Sequence, residues 1–183
     1  MKSLLTLLFA SIFTISLVAC EGSKKETSST EEAEVTAEEV SEEIEQEGDI
    51  SKEEAQKVLV SYMKVKDALV QGDVEQASSA ASEIAAVLKT KGISTAEAIY
   101  AAAQNIANEK DIAAQRKFFN GLSEHTYNLV KSTKANESTV YRQFCPMAFN
   151  NEGAYWLSME EQVNNPYFGD KMLHCGKVEE TIE

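Results

Sequence analysis

The sequence predicts a mainly α protein, an antiparallel bundle of about four helices followed by an irregular C-terminal segment that contains a short β-hairpin. Three observations carry this. Apolar residues recur at helical spacing between residues 55 and 129, with glycines and capping residues between the runs. Beyond Lys134 the periodicity is lost and aromatics, Cys, Met, Gly and Pro crowd together. The first fifty residues resemble neither part in composition.

Those first residues carry one early charge, Lys2, and then an apolar run from Leu4 to Val18 broken only by small hydroxyl residues. The run is short for a bilayer span and charged sequence follows, so it reads as a signal-peptide core, residues 1–19. Leu17-Val18-Ala19-Cys20 resembles the bacterial lipobox, in which the cysteine is acylated and becomes the new N-terminus. Each buried CH₂ of an acyl chain contributes about 0.8 kcal/mol, so two or three chains anchor the protein on a membrane, facing the periplasm or the cell exterior. Residues 20–50 then form an acidic tether: positions 21–49 hold twelve acids against two lysines. Such a segment has too little apolar surface to offset its ordering entropy.

The body from residue 51 to 183 is long enough for one domain, with the helices over 51–134 and the Cys- and Met-rich segment over 135–183 packed on them. Ser51 and Glu54 make a capping box ahead of a stripe through Ala55, Val58, Leu59, Tyr62, Val65 and Leu69, and Gly72 closes that helix. Asp73 and Gln76 open the second, with Val74, Ala77, Ala81, Ile84 and Leu88 as its stripe and Gly92 as its end. Ser94 and Glu97 form another box before Ile99, Ala102, Ala103 and Ile106. Asp111 caps a fourth helix carrying Ile112, Phe118, Phe119, Leu122 and Leu129, whose phenylalanines are expected to fill the centre. Short breaks between segments of this length favour antiparallel neighbours. Met63 reads as packing, and His125, near the Leu122 and Leu129 face, as a partly buried histidine before a metal ligand.

In the C-terminal segment, Val140 to Phe144 and Ala154 to Ser158 read as strands joined by a turn at Asn150 to Gly153. Asn165-Pro166 and Gly169 mark a further loop. Two thiols and two thioethers stand here, Cys145 with Met147 and Met172 with Cys175. Soft sulfur donors suit Cu(I) and other thiophilic ions. Pro146 holds Cys145 extended, and alternate residues of an extended segment face one way, so Cys145 and Met147 are expected to face one ion together. Met172 joins Cys175 if their stretch is a helical turn, and joins His174 if it is a strand. A disulfide is the competing chemistry, since in an oxidising compartment two body cysteines thirty apart are an obvious pair. Spacing alone does not choose between them.

The tail resembles a bacterial domain family, formally of unknown function, found in small lipoproteins and appended to periplasmic adaptor subunits of copper/silver-type heavy-metal efflux pumps. The resemblance rests on Cys145-Pro146-Met147-Ala148, Gly153-Ala154-Tyr155-Trp156-Leu157-Ser158, Asn165-Pro166-Tyr167-Phe168-Gly169 and Met172-Leu173-His174-Cys175-Gly176, with weaker agreement in Asp67 to Asp73 and Arg116 to Ser123. It covers residues 62–182. It implies heavy-metal handling, copper first, with Cys145, Met147, Met172 and Cys175 on the motif positions and His174 in a slot the motif leaves open. The chain lacks the long hairpin and barrel of an efflux adaptor, so the expectation is a protein that buffers, senses or passes on metal near one. The alternative is a Cys145–Cys175 stapled adaptor domain that docks on another envelope protein without metal. No basic patch with stacking aromatics points to nucleic acid. No nucleophile elbow or oxyanion loop points to an enzyme, although a thiol paired with His125 or His174 is the form one would take.

Overall fold

Helix α1, Lys52–Gln71, starts as its capping box requires: Ser51 Oγ accepts the Glu54 N–H at 3.2 Å and the Glu54 carboxylate accepts the Ser51 N–H at 3.0 Å. It ends at Gly72, whose φ of 74° lets the N–H groups of Gly72 and Asp73 turn back to the Leu69 and Ala68 carbonyls. These elements belong to a computed structural model that describes residues 50–89 and 94–183. The expected signal peptide, Cys20, the tether to residue 49, and Gly92 lie outside the described residues.

Asp73 caps α2, Val74–Leu88, by accepting the Gln76 N–H at 2.9 Å, and Asp111 caps α4, Ile112–Thr133, by accepting the Ala114 N–H at 2.8 Å. Between them α3 spans Ser94–Asn108, so the expected box residue Ser94 is the first helical residue. Each helix packs on the next, and α4 returns to α1, which makes the antiparallel bundle the sequence predicts. Most of the expected stripe is buried, including Tyr62, Leu69, Ile84, Ile99, Phe119 and Leu122. Val74, Ala102, Ile112 and Phe118 are only half-buried. The correction at Phe118 is geometric: adjacent helical residues point about 100° apart, so Phe119 takes the centre and Phe118 its margin. Gln115, fully buried, reaches the Val74, Ile106 and Glu109 carbonyls and Ser78 Oγ with its amide nitrogen, joining α4 to α2 and α3.

The C-terminal segment builds a three-stranded antiparallel sheet in the order β2-β1-β3, with β1 Val140–Cys145 central, β2 Ala154–Ser158 and β3 Lys177–Ile182. The expected hairpin is β1–β2, with β1 one residue longer than expected and reaching Cys145. β3 was not expected. Its Lys177-Val178-Glu179-Glu180-Thr181-Ile182 is charged and alternates exposed residues with covered ones, as suits an edge strand, and carries little apolar signal. The reversal between β1 and β2 is also longer than the expected Asn150–Gly153 turn. Phe149, Asn150 and Asn151 all take left-handed backbone, with φ of 50°, 59° and 72°. Asparagine tolerates this region, whereas Phe149 is strained there and is held by its ring packing edge-on against Tyr167 at 5.4 Å.

Several side chains join the C-terminal segment to the bundle, among them Arg142 of β1, which donates to the Glu124 carboxylate of α4 at 3.0 Å. The Tyr62 hydroxyl, buried in α1, accepts the Leu157 N–H at 3.0 Å and pairs with Ser123 Oγ at 2.8 Å. Leu157 lies on the outer strand β2, so this hydroxyl satisfies an N–H that the sheet leaves unpaired. Arg116 on α4 donates to the Pro166 carbonyl at 2.8 Å and to the Leu69 carbonyl at the end of α1 at 2.9 Å. On the outer face, Glu180 of β3 accepts from Tyr127 Oη at 2.8 Å and Lys131 Nζ at 2.7 Å, both on α4. Arg142 beside them lies between the rings of Tyr127 and Tyr155, at 3.9 and 4.0 Å.

Candidate functional site

The two body cysteines meet. Cys145 ends the central strand and Cys175 sits just before β3, and their Sγ atoms are 3.2 Å apart, in direct contact and longer than the roughly 2.05 Å of a covalent disulfide. Both are free thiols. Cys145 is fully buried and Cys175 partly accessible, so the pair presents one inner and one outer sulfur. The hydrogen bond shared with Cys145, and then burial, push the Cys175 thiol above its ordinary pKa. An ion taken up here must displace thiol protons.

The chain around Cys175 is held tightly for a segment without regular structure. Asn165, fully buried, donates from Nδ2 to the Cys175 carbonyl at 2.7 Å, and its backbone N–H donates to the Leu173 carbonyl at 2.8 Å. Its Oδ1 accepts the N–H groups of Tyr167 at 2.8 Å and Phe168 at 3.3 Å, which folds the Asn165–Gly169 loop around it. Gly176 follows with φ 147°, so close to β1 that a Cβ there would lie 2.8 Å from the Phe144 carbonyl and 3.0 Å from the Trp156 ring. Phe144 precedes Cys145 as Gly176 follows Cys175, and this close approach sets the thiols side by side.

The other expected ligands fare differently. Met147 is not extended: its φ of −92° and ψ of −8° are helical, so the alternate-residue geometry expected with Cys145 is absent. It is 48% exposed while Cys145 is fully buried, so the two do not share a face. Around Met172 the chain forms a turn, with the Cys175 N–H donating to the Met172 carbonyl at 3.0 Å, and the stretch is not a strand. The turn is closed between residues three apart, but Met172 itself is not helical, with φ of −149° and ψ of 52°, and it is half-buried. His174 is exposed, and its Nδ1 lies 2.8 Å from the Val163 carbonyl, so the ring is tied to the loop. His125 is half-buried on α4. Among the described residues no three His, Cys, Asp or Glu side chains are grouped to hold a metal, so neither histidine joins the thiols.

Chemically the pair supports two outcomes. Thiolates are soft donors that suit Cu(I), and two of them satisfy a low-coordinate soft cation, whereas a structural zinc site takes four ligands. The residues present therefore fit Cu(I) better than zinc. The same pair closes to a disulfide on loss of two electrons and two protons. Asn165 and Gly176 are the working residues that sequence reasoning did not single out. Asn165-Pro166 signalled a turn, but nothing local signals a partner ten residues away. A groove of about 650 Å³ lies elsewhere, between the first half of α1 and residues 135–138, and exposed Val60 and Met159 line it. It contains none of the expected ligands.

Fold and site together define a four-helix bundle that carries a thiol pair on an appended three-stranded sheet. Residues 58–138 match the model of a family described as a protein of unknown function (DUF3347). The matched span runs from α1 to the residues before β1, so the helices carry it and the tail motifs lie outside it. No curated protein and no solved structure matched the chain.

Proposed function

We propose that this chain is a lipid-anchored protein of the bacterial cell envelope that holds a thiophilic heavy-metal ion, Cu(I) first, between Cys145 and Cys175. The observation that carries the reading is the 3.2 Å approach of two free thiols from opposite ends of the tail. The resemblance of Leu17-Val18-Ala19-Cys20 to a lipobox supports a membrane-anchored location outside the cytoplasm, and the resemblance of the tail supports a role beside a metal-efflux adaptor. Met147, half-exposed beyond the end of β1, and Met172 are auxiliary donors, and among the described residues neither His174 nor His125 is grouped with the thiols. On this reading the protein is a metal carrier.

The test is a competition titration with a chromogenic Cu(I) chelator, using the full chain with Cys20→Ser so that only two thiols remain. The reduced chain is expected to take up one Cu(I), and the variant with Cys145→Ser and Cys175→Ser to lose that uptake while keeping its helical circular dichroism. Unchanged uptake in that variant overturns the site. The direct sulfur contact also favours a second reading, a disulfide-stapled adaptor domain without metal. A persistent disulfide in purified protein, with no Cu(I) uptake after reduction, would decide for it.

A further inference from the structure

We infer that Asn165 is the positioning residue of the thiol pair, and that its hold on Cys175 sets the reduction potential of the Cys145–Cys175 couple. The inference rests on reading these two thiols as the working site, and it goes beyond that reading by naming what tunes them. Cys175 belongs to no helix or strand, yet its sulfur stays against one that is fixed in the central strand. An untethered loop would move through many positions, and the effective concentration of one thiol at the other would fall. The constraint comes from Asn165. One buried side chain holds the Cys175 carbonyl at 2.7 Å, and the same residue's backbone holds Leu173 at 2.8 Å, so the turn that carries Cys175 is clamped on both sides. The clamp is itself fixed, since Asn165 Oδ1 takes the Tyr167 and Phe168 N–H groups and the Asn165 carbonyl takes the Gly169 N–H at 2.9 Å. Arg116 then ties the next residue, through the Pro166 carbonyl, to the bundle. Gly176 completes the approach from the other side, against the Phe144 carbonyl.

The exchange that reads out this positioning is balanced. The Cys145 and Cys175 thiols reduce one glutathione disulfide to two glutathione thiols and become a disulfide, with both protons passing to the glutathione sulfurs. The pair's share of oxidised form is measured across a series of glutathione buffers on the full chain with Cys20→Ser. Asn165→Asp keeps the oxygen that Tyr167 and Phe168 use and removes the donor to Cys175. It is expected to lower the closing constant about tenfold, which is a potential about 30 mV more positive. Gln115→Leu loosens the bundle without touching the pair and is expected to leave the potential at the wild-type value. A folded Asn165→Asp chain with the wild-type potential overturns the inference, and so does an equal shift in Gln115→Leu. If Asn165→Asp does not fold, Gly176→Ala presses on the same approach from the β1 side, and an unshifted potential there overturns the inference as well. A parallel Cu(I) titration of the parent chain separates the two ideas. Absent uptake with the Asn165 shift intact sinks the metal reading alone, whereas uptake without the shift sinks the positioning role alone.

Discussion

Closing the Cys145–Cys175 disulfide should stabilise the fold by an amount that the loop it closes sets. The bond would enclose about thirty residues, including β2 and the Asn165–Gly169 loop, and join the central strand to the start of β3. In the chain-entropy description a loop of about thirty residues costs the denatured chain about 12 cal/mol/K, or about 3.6 kcal/mol at 25 °C. Little of this should be lost to strain, because the sulfurs are already in contact in the thiol form and both flanking segments are fixed by Asn165, Gly176 and the β1 ladder. The assay is urea unfolding of the full chain with Cys20→Ser, followed by circular dichroism, in oxidised form and again in reductant. With a slope of about 2 kcal/mol per molar urea, the oxidised midpoint is expected about 1.8 M higher. The slope itself should fall, because a cross-linked denatured chain exposes less surface. A gain below about 1 kcal/mol, or a loss, would refute the reasoning, since it would mean that the native chain does not hold the thiols together.

Two further outcomes test the frame that presents the pair. Tyr62→Phe removes the hydroxyl that serves the Leu157 N–H and Ser123, and leaves a buried strand donor unsatisfied. A loss of about 2–3 kcal/mol in the same urea assay is expected, and a loss under about 0.5 kcal/mol would show that this hydroxyl does not join sheet to bundle. Lys131 and Tyr127, donating to Glu180, hold its carboxyl below the usual range, so the folded chain favours the ionised form. That contribution is present above the unfolded-state pKa and is lost as pH falls through the depressed folded value. Glu180→Gln should therefore lower the melting temperature near pH 7 and lower it progressively less as the pH falls below the usual carboxylate range; an effect that does not shrink as acid is added would contradict the ionic link between β3 and α4.

The helical part was legible because its signals are local. Ser51 with Glu54, Asp73 with Gln76, and Asp111 satisfy helix-terminal N–H groups within four residues, and the stripe from Ala55 to Leu69 needs only the helical period to find its face. The hairpin was legible for the same reason, as two runs rich in aromatics and aliphatics with a turn between them. The local pattern misplaced Phe118, which sits at the rim, shortened a reversal that runs through three left-handed residues, put Met147 on the face of Cys145, and missed β3.

Sequence by itself determined the helical bundle, the caps at Ser51, Asp73 and Asp111, the break at Gly72, and the short list of sulfur atoms in the tail. Tertiary structure decided which of those sulfurs meet. Cys145 and Cys175 are thirty residues apart, and their contact depends on pairings with no local signature: β3 on β1, Asn165 on Cys175, Gly176 on Phe144. Met147, two residues from Cys145, turns out to solvent, because the chain leaves the extended conformation at the end of β1. Spacing along the chain sets which side chains share a face only while one regular element continues. Where the element ends, long-range hydrogen bonds and close backbone approach decide, and here they bring two thiols together while Met147 turns away from them.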